Sequence, residues 1–341
     1  MKTYDVVWAS DKNYLPYMAT SIFSFCENNL SWIDDDKKLV IHILEDGFGE
    51  EDKEKIVKMV NDTREKKGGV VNIKVNFYDM GVWCEKLKLK EIIAVKNKNG
   101  YPPSAYFRLF VGQILPSEVE RVLYLDSDSL VLGSFEEVLK MDLEGKVMAG
   151  VDDIIRPASY RQKFGLDIND PYINTGVCVI DLNKIREEKM VEKFIPYIKN
   201  HEVSYADQDV LNALLRERVT LVHPKFNLQG FLHNHTIEYC SYYTGGAKMF
   251  YDQVIVDEAI KNPVFVHDKL WCRHVSFYSP FTKKYWTYFA CNPFGTKRIS
   301  RLSQVTETKI IAISLVRKVL GVKLCDKMLL AVYRFSNKKF A

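Results

Sequence analysis

Short apolar runs that alternate with amphipathic stretches constrain this chain more than any other feature. Tyr4–Ala9 (YDVVWA) reads as a first strand. It ends in the polar run Ser10-Asp11-Lys12-Asn13, and an apolar helix follows over Tyr14–Cys26. Leu39–Leu44 is a second strand, Glu50–Arg64 a charged helix with Ile56, Val57 and Val60 on one face, and Val70–Phe77 a third strand. A helix-like segment, Ser104–Gln113, follows Pro102-Pro103, and Arg121–Leu125 is a fourth strand that runs straight into Asp126. Further strands are expected at Lys146–Val151, Gly176–Leu182, Val219–Val222 and Val264–His267, with helices at Asn183–Lys199 and Ala206–Leu215. Alternation of this kind predicts an α/β fold, a mainly parallel mixed sheet between helices. Residues 223–250 are rich in aromatics, His, Asn and Gly without a period, and read as a long ordered loop.

Charge is distributed unevenly. Residues 297–341 hold eleven Lys/Arg against two acids, a net +9, which leaves −5 for residues 1–296 of a chain whose total is +4. The tail mixes Ile, Leu and Val with Lys and Arg at helical spacing over Lys309–Phe335, the pattern of a helix on an anionic membrane surface or of a basic face packed on the body. An acidic body and the absence of a recognisable motif argue against nucleic acid as a partner. The longest apolar run near the tail, Ile310–Val316, is far too short to span a bilayer. The N-terminus carries no apolar h-region, so no signal peptide is read there. Seven widely spaced cysteines without a CxxC fit reduced thiols in a cytoplasmic setting.

The chemistry is carried by VLYLDSDSLVL. An apolar strand delivers two carboxylates, Asp126 and Asp128, to its C-terminal end, where open α/β sheets bind ligands. If the segment stays extended, residues i and i+2 share a side. Two carboxylates held together repel unless a cation or a proton neutralises them, and hard divalent ions take oxygen ligands. Asp34/Asp36 and Asp207/Asp209 have the same spacing, but only Asp126/Asp128 directly follows a strongly apolar strand. Three further features accompany it. Ala9-Ser10-Asp11-Lys12-Asn13 suits either base and ribose binding or a loop with a helix cap. Pro171–Gly176 suits close approach to a sugar or a turn. Asp207-Gln208-Asp209 opens a helix, where acids also simply favour the positive N-terminus.

Taken in order, WASDKNY, SAYFRL, VLYLDSDSLVL, INTGVCVIDL, YADQDVLN, HPKFN and a His at 267 resemble glycosyltransferase family 8, the bacterial lipopolysaccharide galactosyl- and glucosyltransferases, over roughly residues 3–270. The resemblance implies a GT-A type fold over residues 1–296 and a retaining transferase. It also implies a UDP-sugar donor, a saccharide or lipid-linked glycan acceptor, and Mn²⁺, with Mg²⁺ as the alternative ion. By the same resemblance Ala9, Asp11 and Asn13 match a uridine-binding loop, Arg108 a donor-contacting arginine, and Asp126, Asp128 and His267 the metal ligands. Asn174, Asp207 and Gln208 match residues around the donor sugar, with Gln208 nearest the anomeric carbon. One segment departs from the pattern. The family follows its His with G-x-x-K-P-W, whereas here the run is His267-Asp-Lys-Leu-Trp-Cys-Arg-His274, which leaves open whether Lys269 or Arg273 meets the diphosphate.

Gln208 is a weak nucleophile, so the expected mechanism is same-face attack by the acceptor hydroxyl, with the leaving phosphate oxygen taking its proton. Two other readings stand beside this one. A non-catalytic UDP-sugar-binding protein of the same fold would account for the altered segment after His267. An aspartyl-nucleophile phosphatase would use LDSDSL, although that class prefers Gly-Thr after the motif and carries it after the first strand. The expected location is the inner face of the cytoplasmic membrane, held peripherally through residues 297–341.

Overall fold

A computed structural model describes residues 2–33, 36–68, 72–89, 101–268, 279–295, 315–317 and 319–337. Its main sheet has seven strands: β1 (Lys2–Asp11), β2 (Lys37–Asp46), β3 (Asn72–Asp79), β4 (Arg121–Leu125), β6 (Met148–Asp152), β7 (Ile173–Asp181) and β8 (Val219–Leu221). They lie in the order β3-β2-β1-β4-β7-β6-β8. The β1–β2, β2–β3, β1–β4 and β6–β8 pairs are parallel, and β7 runs antiparallel to both β4 and β6. The expected mainly parallel mixed sheet is therefore observed, with β7 as the one reversed strand among those described.

Alternation along the central strands splits the core into two layers. Val6 and Trp8 of β1, Ile41 and Ile43 of β2, and Leu123 and Leu125 of β4 pack on one face. There they meet Ile22 and Phe25 of helix α1 (Leu15–Asn29) and Ile56 and Val60 of helix α2 (Glu50–Lys66). Val7, Val122 and Tyr124 point to the other face, against Phe107, Phe110 and Phe194. Each fully buried side chain of this size contributes about 1.5–3 kcal/mol, which fixes register as well as stability, because a slip by one residue would exchange the two faces.

Several expectations need correction. The segment after Pro102-Pro103 is a 3₁₀ helix over Pro103–Phe110, followed by one α-turn, Val111–Ile114. Asn183–Lys199 is two helices, Leu182–Glu187 and Met190–Asn200, with Lys189 left-handed at φ 51° between them. The buried positions 182 and 185 and then 190, 194 and 198 slip by a residue at that break, so a single helical face could not bury them all. Residues 223–250 are not one loop. They hold a 3₁₀ turn (Pro224–Asn227), strand β9 (Leu228–Gln229) and two short helices, Gly230–Asn234 and Ile237–Tyr243. Strand β5 (Ser129–Val131) was also not foreseen. It forms a second sheet with β9 and β10 (Phe265–His267), in the order β5-β10-β9. Within the tail, a helix spans Val322–Asn337. No helix among the described residues is long and apolar enough to cross a membrane, and the six described cysteines are free.

Two topological facts place the site. Strand order reverses between β1 and β4, so the connections leaving their carboxyl ends diverge and open a crevice. Because β7 is antiparallel, its first residues lie at the same edge as the last residues of β4 and β6.

Candidate active site

A cleft of about 670 Å³ opens at that edge, lined by the ends of β1, β4 and β6, the start of β7, and the segments around Asp207, Gln229 and His267. Residues 126–128 leave β4 and bend rather than stay extended, so alternation is not what joins the two carboxylates. Buried hydroxyls hold the bend instead. Trp8 Nε1 donates to Ser21 Oγ at 2.9 Å, Ser21 and Ser129 share a hydrogen bond of 2.8 Å, and Ser129 Oγ donates to the Asp126 carbonyl at 2.6 Å. Ser127 Oγ donates to the Ala9 carbonyl at 2.8 Å, which ties the bend to β1.

His267 arrives through the second sheet. Antiparallel pairing sets it opposite Ser129, next in sequence to Asp128. Its Nε2 lies 3.2 Å from Asp128 Oδ1 and 3.7 Å from Asp126 Oδ2. One ligand atom from each of the three residues falls within 4.8 Å of the others. Two carboxylates and an imidazole converging on one point are a fitting donor set for a divalent ion. Gly176 makes room for the ring, since a Cβ there would stand 2.4 Å from His267 Nδ1.

Arg108 sits beneath this point, buried, from the 3₁₀ segment. It bonds the Asp126 carboxylate and the Thr175 carbonyl, its Nε lies 2.7 Å from Asp207 Oδ2, and its guanidinium packs 4.1 Å over the Tyr124 ring. Burial works against its charge, but Asp126 and Asp207 more than offset this and raise its pKa well above the ordinary value. Burial pushes the Asp207 carboxyl up to about 6, against the pull of Arg108. Asp207 also accepts from Thr175 Oγ1 at 3.0 Å. Ala206, just before it, is left-handed at φ 47°, a strained start for helix Ala206–Leu215 of the kind found at functional sites.

Asn174 and Gln208 meet at a residue the sequence reading did not single out. Asp153 Oδ2 accepts from Gln208 Nε2 at 2.9 Å, Arg156 Nε at 3.1 Å and Asn174 Nδ2 at 3.3 Å, while its buried Oδ1 has no hydrogen-bond partner among the described residues. A signal existed, for Asp152-Asp153 ends strand β6 much as Asp126 follows β4. Arg156, stacked 3.5 Å over the Tyr205 ring, was also missed, and both residues line the cleft. Asp152 holds the neighbouring Arg161, a fully buried side chain. Arg161 donates to both Asp152 carboxylate oxygens at 3.0 and 3.1 Å, and to the carbonyls of Arg156, Asp170 and Asp153. The third D-x-D resolves as structural in part. Asp209 accepts from Tyr160, Tyr172 and the Ser204 and Tyr205 amides, which occupies its carboxylate.

The expected uridine loop is divided. Ala9 and Ser10 line the cleft, whereas Asp11 and Asn13 are not among its described lining residues. Asp11 Oδ1 accepts from the Asn13 and Tyr14 amides at 2.8 and 3.0 Å, and shapes the turn into α1. Lys269 and Arg273 lie outside the described residues, as does Asp34 of the remaining D-x-D.

The profile of glycosyl transferase family 8 matches residues 5–267. Over 232 residues the chain is 28% identical to lipopolysaccharide 1,2-glucosyltransferase of Escherichia coli, an alignment covering 66% of this chain and 62% of that protein. The chain thus spans about three fifths of the length of such curated relatives. Among solved structures, the WbbM bifunctional glycosyltransferase superposes with a TM-score of 0.65 at 18% identity, covering 92% of this chain and 52% of that one. The galactosyltransferase LgtC in complex with donor and acceptor sugar analogs gives a TM-score of 0.60 at 23% identity, covering 85% and 96%. At these identities the likeness establishes the architecture, which is the GT-A fold. The match sets aside the phosphatase reading. Its span encloses the cleft from Ala9 through Asp126, Asp128, Asn174 and Gln208 to His267, and the chain belongs to glycosyl transferase family 8.

Proposed function

We propose that the protein is a retaining hexosyltransferase that moves glucose or galactose from a UDP-sugar to a saccharide acceptor of a cell-surface glycan such as lipopolysaccharide or capsule. The observation that carries this reading is the convergence of Asp126, Asp128 and His267 in the same cleft as Asp153, Asn174 and Gln208. A divalent ion held by Asp126, Asp128 and His267 would supply positive charge against the diphosphate leaving group, and the mixed carboxylate–imidazole set favours Mn²⁺ over Mg²⁺.

The chain's own residues divide the remaining work. Arg108 keeps Asp126 and Asp207 from repelling one another and sets the Asp126 carboxylate toward His267. Asp153 orients the Gln208 and Asn174 amides, and its unpartnered Oδ1 suits a sugar hydroxyl. Gln208 Oε1 accepts from the Thr175 amide at 3.3 Å, so its amide is fixed at both ends and is a poor nucleophile. Asp207 is occupied by Arg108 and Thr175. Neither group is free to form a covalent sugar adduct, which supports same-face attack by the acceptor hydroxyl. In that step the sugar–phosphate bond breaks, the acceptor oxygen bonds the anomeric carbon, and the acceptor proton passes to the leaving phosphate oxygen. Ala9, Asp11 and Asn13 remain the proposed uridine contacts, and Lys269 or Arg273 the proposed diphosphate contact.

A screen of UDP release across several UDP-sugars, with Mn²⁺ and with chelator, tests the reading. Metal-dependent release from UDP-glucose or UDP-galactose is expected. UDP binding without any turnover would instead leave the non-catalytic binding protein. A sugar adduct trapped on Asp207 or another carboxylate, detected by intact-mass measurement, would overturn same-face attack.

The tail supports attachment to an anionic membrane surface at the cytoplasmic face. Leu320, Leu324 and Met328 are exposed at helical spacing, with exposed Lys323 and Lys327 beside them. Reversing both charges (Lys323→Glu with Lys327→Glu) is expected to weaken sedimentation with anionic lipid vesicles by on the order of tenfold or more. Unchanged sedimentation would remove the electrostatic part of this reading.

A further inference from the structure

We infer that the C-terminal segment latches one wall of the cleft, with Asp326 as a positioning residue for the acceptor. The inference rests on the sugar-transfer reading for the word acceptor, but its geometry stands apart from it. Asp326 is buried although it lies in the basic tail. Its Oδ1 accepts from His235 Nδ1 at 3.0 Å, and its Oδ2 accepts from the Thr236 amide at 2.6 Å. Arg317 Nη2 reaches His235 Nε2 at 2.9 Å from the preceding turn of the tail. The same Nη2 lies 3.1 Å from Nδ1, so the guanidinium rests against the ring, and burial together with that charge lowers the His235 pKa and favours a neutral imidazole with Nδ1–H donating to Asp326. Cys325 and Leu330 bury apolar surface beside it.

His235 and Thr236 are the junction between helices Gly230–Asn234 and Ile237–Tyr243, and Thr236 Oγ1 caps the second by accepting from the Tyr239 amide at 3.3 Å. The imidazole stacks on the Tyr239 ring at 4.2 Å and lies 4.3 Å from the tilted Phe231 ring, and those two rings are 6.2 Å apart. Phe231, with Gln229 and Gly230, lines the cleft. Gln229 pairs with His267 in β9–β10, on the strand edge opposite the one that meets Ser129 of the D-x-D loop. A continuous path therefore runs from the tail carboxylate through a clamped imidazole to an aromatic wall on the far side of the proposed metal ligands. The acceptor saccharide would then lie against that wall, which lines the cleft. The tail is then part of the wall's support, besides any part it has at a lipid surface.

The full-length Asp326→Asn variant tests this. Its acceptor KM is expected to rise about tenfold through loss of a charge-assisted contact, while donor KM and acceptor-independent UDP release stay at wild-type values. In a Phe231→Ala background the same substitution should add little, because both changes act on one wall. Equal losses of hydrolysis and transfer, or effects of the two substitutions that simply multiply, would overturn the latch. Hydrogen–deuterium exchange gives an arm that needs no turnover. Asp326→Asn should raise exchange over residues 230–243 and leave 121–131 unchanged, and unaltered exchange at 230–243 overturns the latch even in a protein without activity. Absence of UDP release from the wild type, with exchange rising as expected, would count against the transferase reading alone.

Discussion

Replacing Asp128 with alanine is expected to lower metal-dependent UDP release by about a thousandfold, while the protein remains folded. The residue lies at a bend outside the packed layers, so no core is lost. What is lost is one of the two carboxylates within reach of His267 Nε2, the one at 3.2 Å. Charge stabilisation of a leaving group by a bound ion is worth several kcal/mol, and each ~1.4 kcal/mol is a factor of ten in rate. Folding can be separated from binding in one measurement. Wild-type protein should gain thermal stability as Mn²⁺ is added, because an ion that binds only the folded state shifts the equilibrium by mass action. Asp128→Ala should unfold near the metal-free wild-type temperature and gain little from Mn²⁺. A variant that keeps the full Mn²⁺-dependent rise would show that the ion binds elsewhere, and the assignment of Asp126, Asp128 and His267 would fail with it.

Arg161→Met should be the most destabilising substitution outside the large apolar core, at about 3–5 kcal/mol, because it strips the charged partner from a fully buried carboxylate. Arg161 uses all of its donors on Asp152 and three backbone carbonyls, and methionine can replace none of them. The loss should depend on pH. Burial raises the Asp152 carboxyl to about 6 even with Arg161 beside it. A carboxyl raised above its unfolded value favours the folded state at low pH and loses that contribution as pH rises through the folded pKa. Without the guanidinium the folded pKa must climb further. The variant should therefore be hurt more at pH 8, where ionised Asp152 keeps only the Tyr172 amide and no countercharge, than at pH 5, where it is largely protonated. Urea denaturation at the two pH values checks this, and an equal loss at both would show that Asp152 does not titrate in this range.

How much of this was legible in the sequence depended on how local the cause was. Arg121–Leu125 was read residue for residue, because an apolar run bounded by charges needs no tertiary information. Asp126 and Asp128 were found for the right context, the end of a buried strand, but by the wrong geometry: the segment bends, and a chain of serine hydroxyls holds it. His267 carried no local signal at all. Its neighbour Asp128 is reached only through antiparallel pairing of two three-residue strands far apart in sequence, and although a strand is legible at Val264–His267, nothing local shows that it pairs with Ser129–Val131. Only the family resemblance pointed to it. Asp153 directly follows β6 as Asp126 follows β4, but its acidic neighbour Asp152 is adjacent, so the pair shows no alternating D-x-D. The helices within 223–250 escaped because five and seven residues complete too few turns to display a period.

The reversed direction of β7 has a further consequence. In an all-parallel sheet, the chain leaving β6 at this edge would have to cross back to the opposite edge before the next strand began. Here it returns to the same edge, so the excursion between Asp153 and Tyr172 starts and finishes at the cleft. Asp153 at its start and Asn174 of β7 just beyond its end are joined by a hydrogen bond of 3.3 Å, and Arg161 from its middle ties Asp152, Asp153 and Asp170 together. Such an excursion is a cassette. Its length and side chains can change while both ends stay fastened at the cleft, and the seven-stranded scaffold need not adjust. Substrate range in a protein built this way can be altered by exchanging one segment, provided that the newcomer brings its own clasp for Asp152.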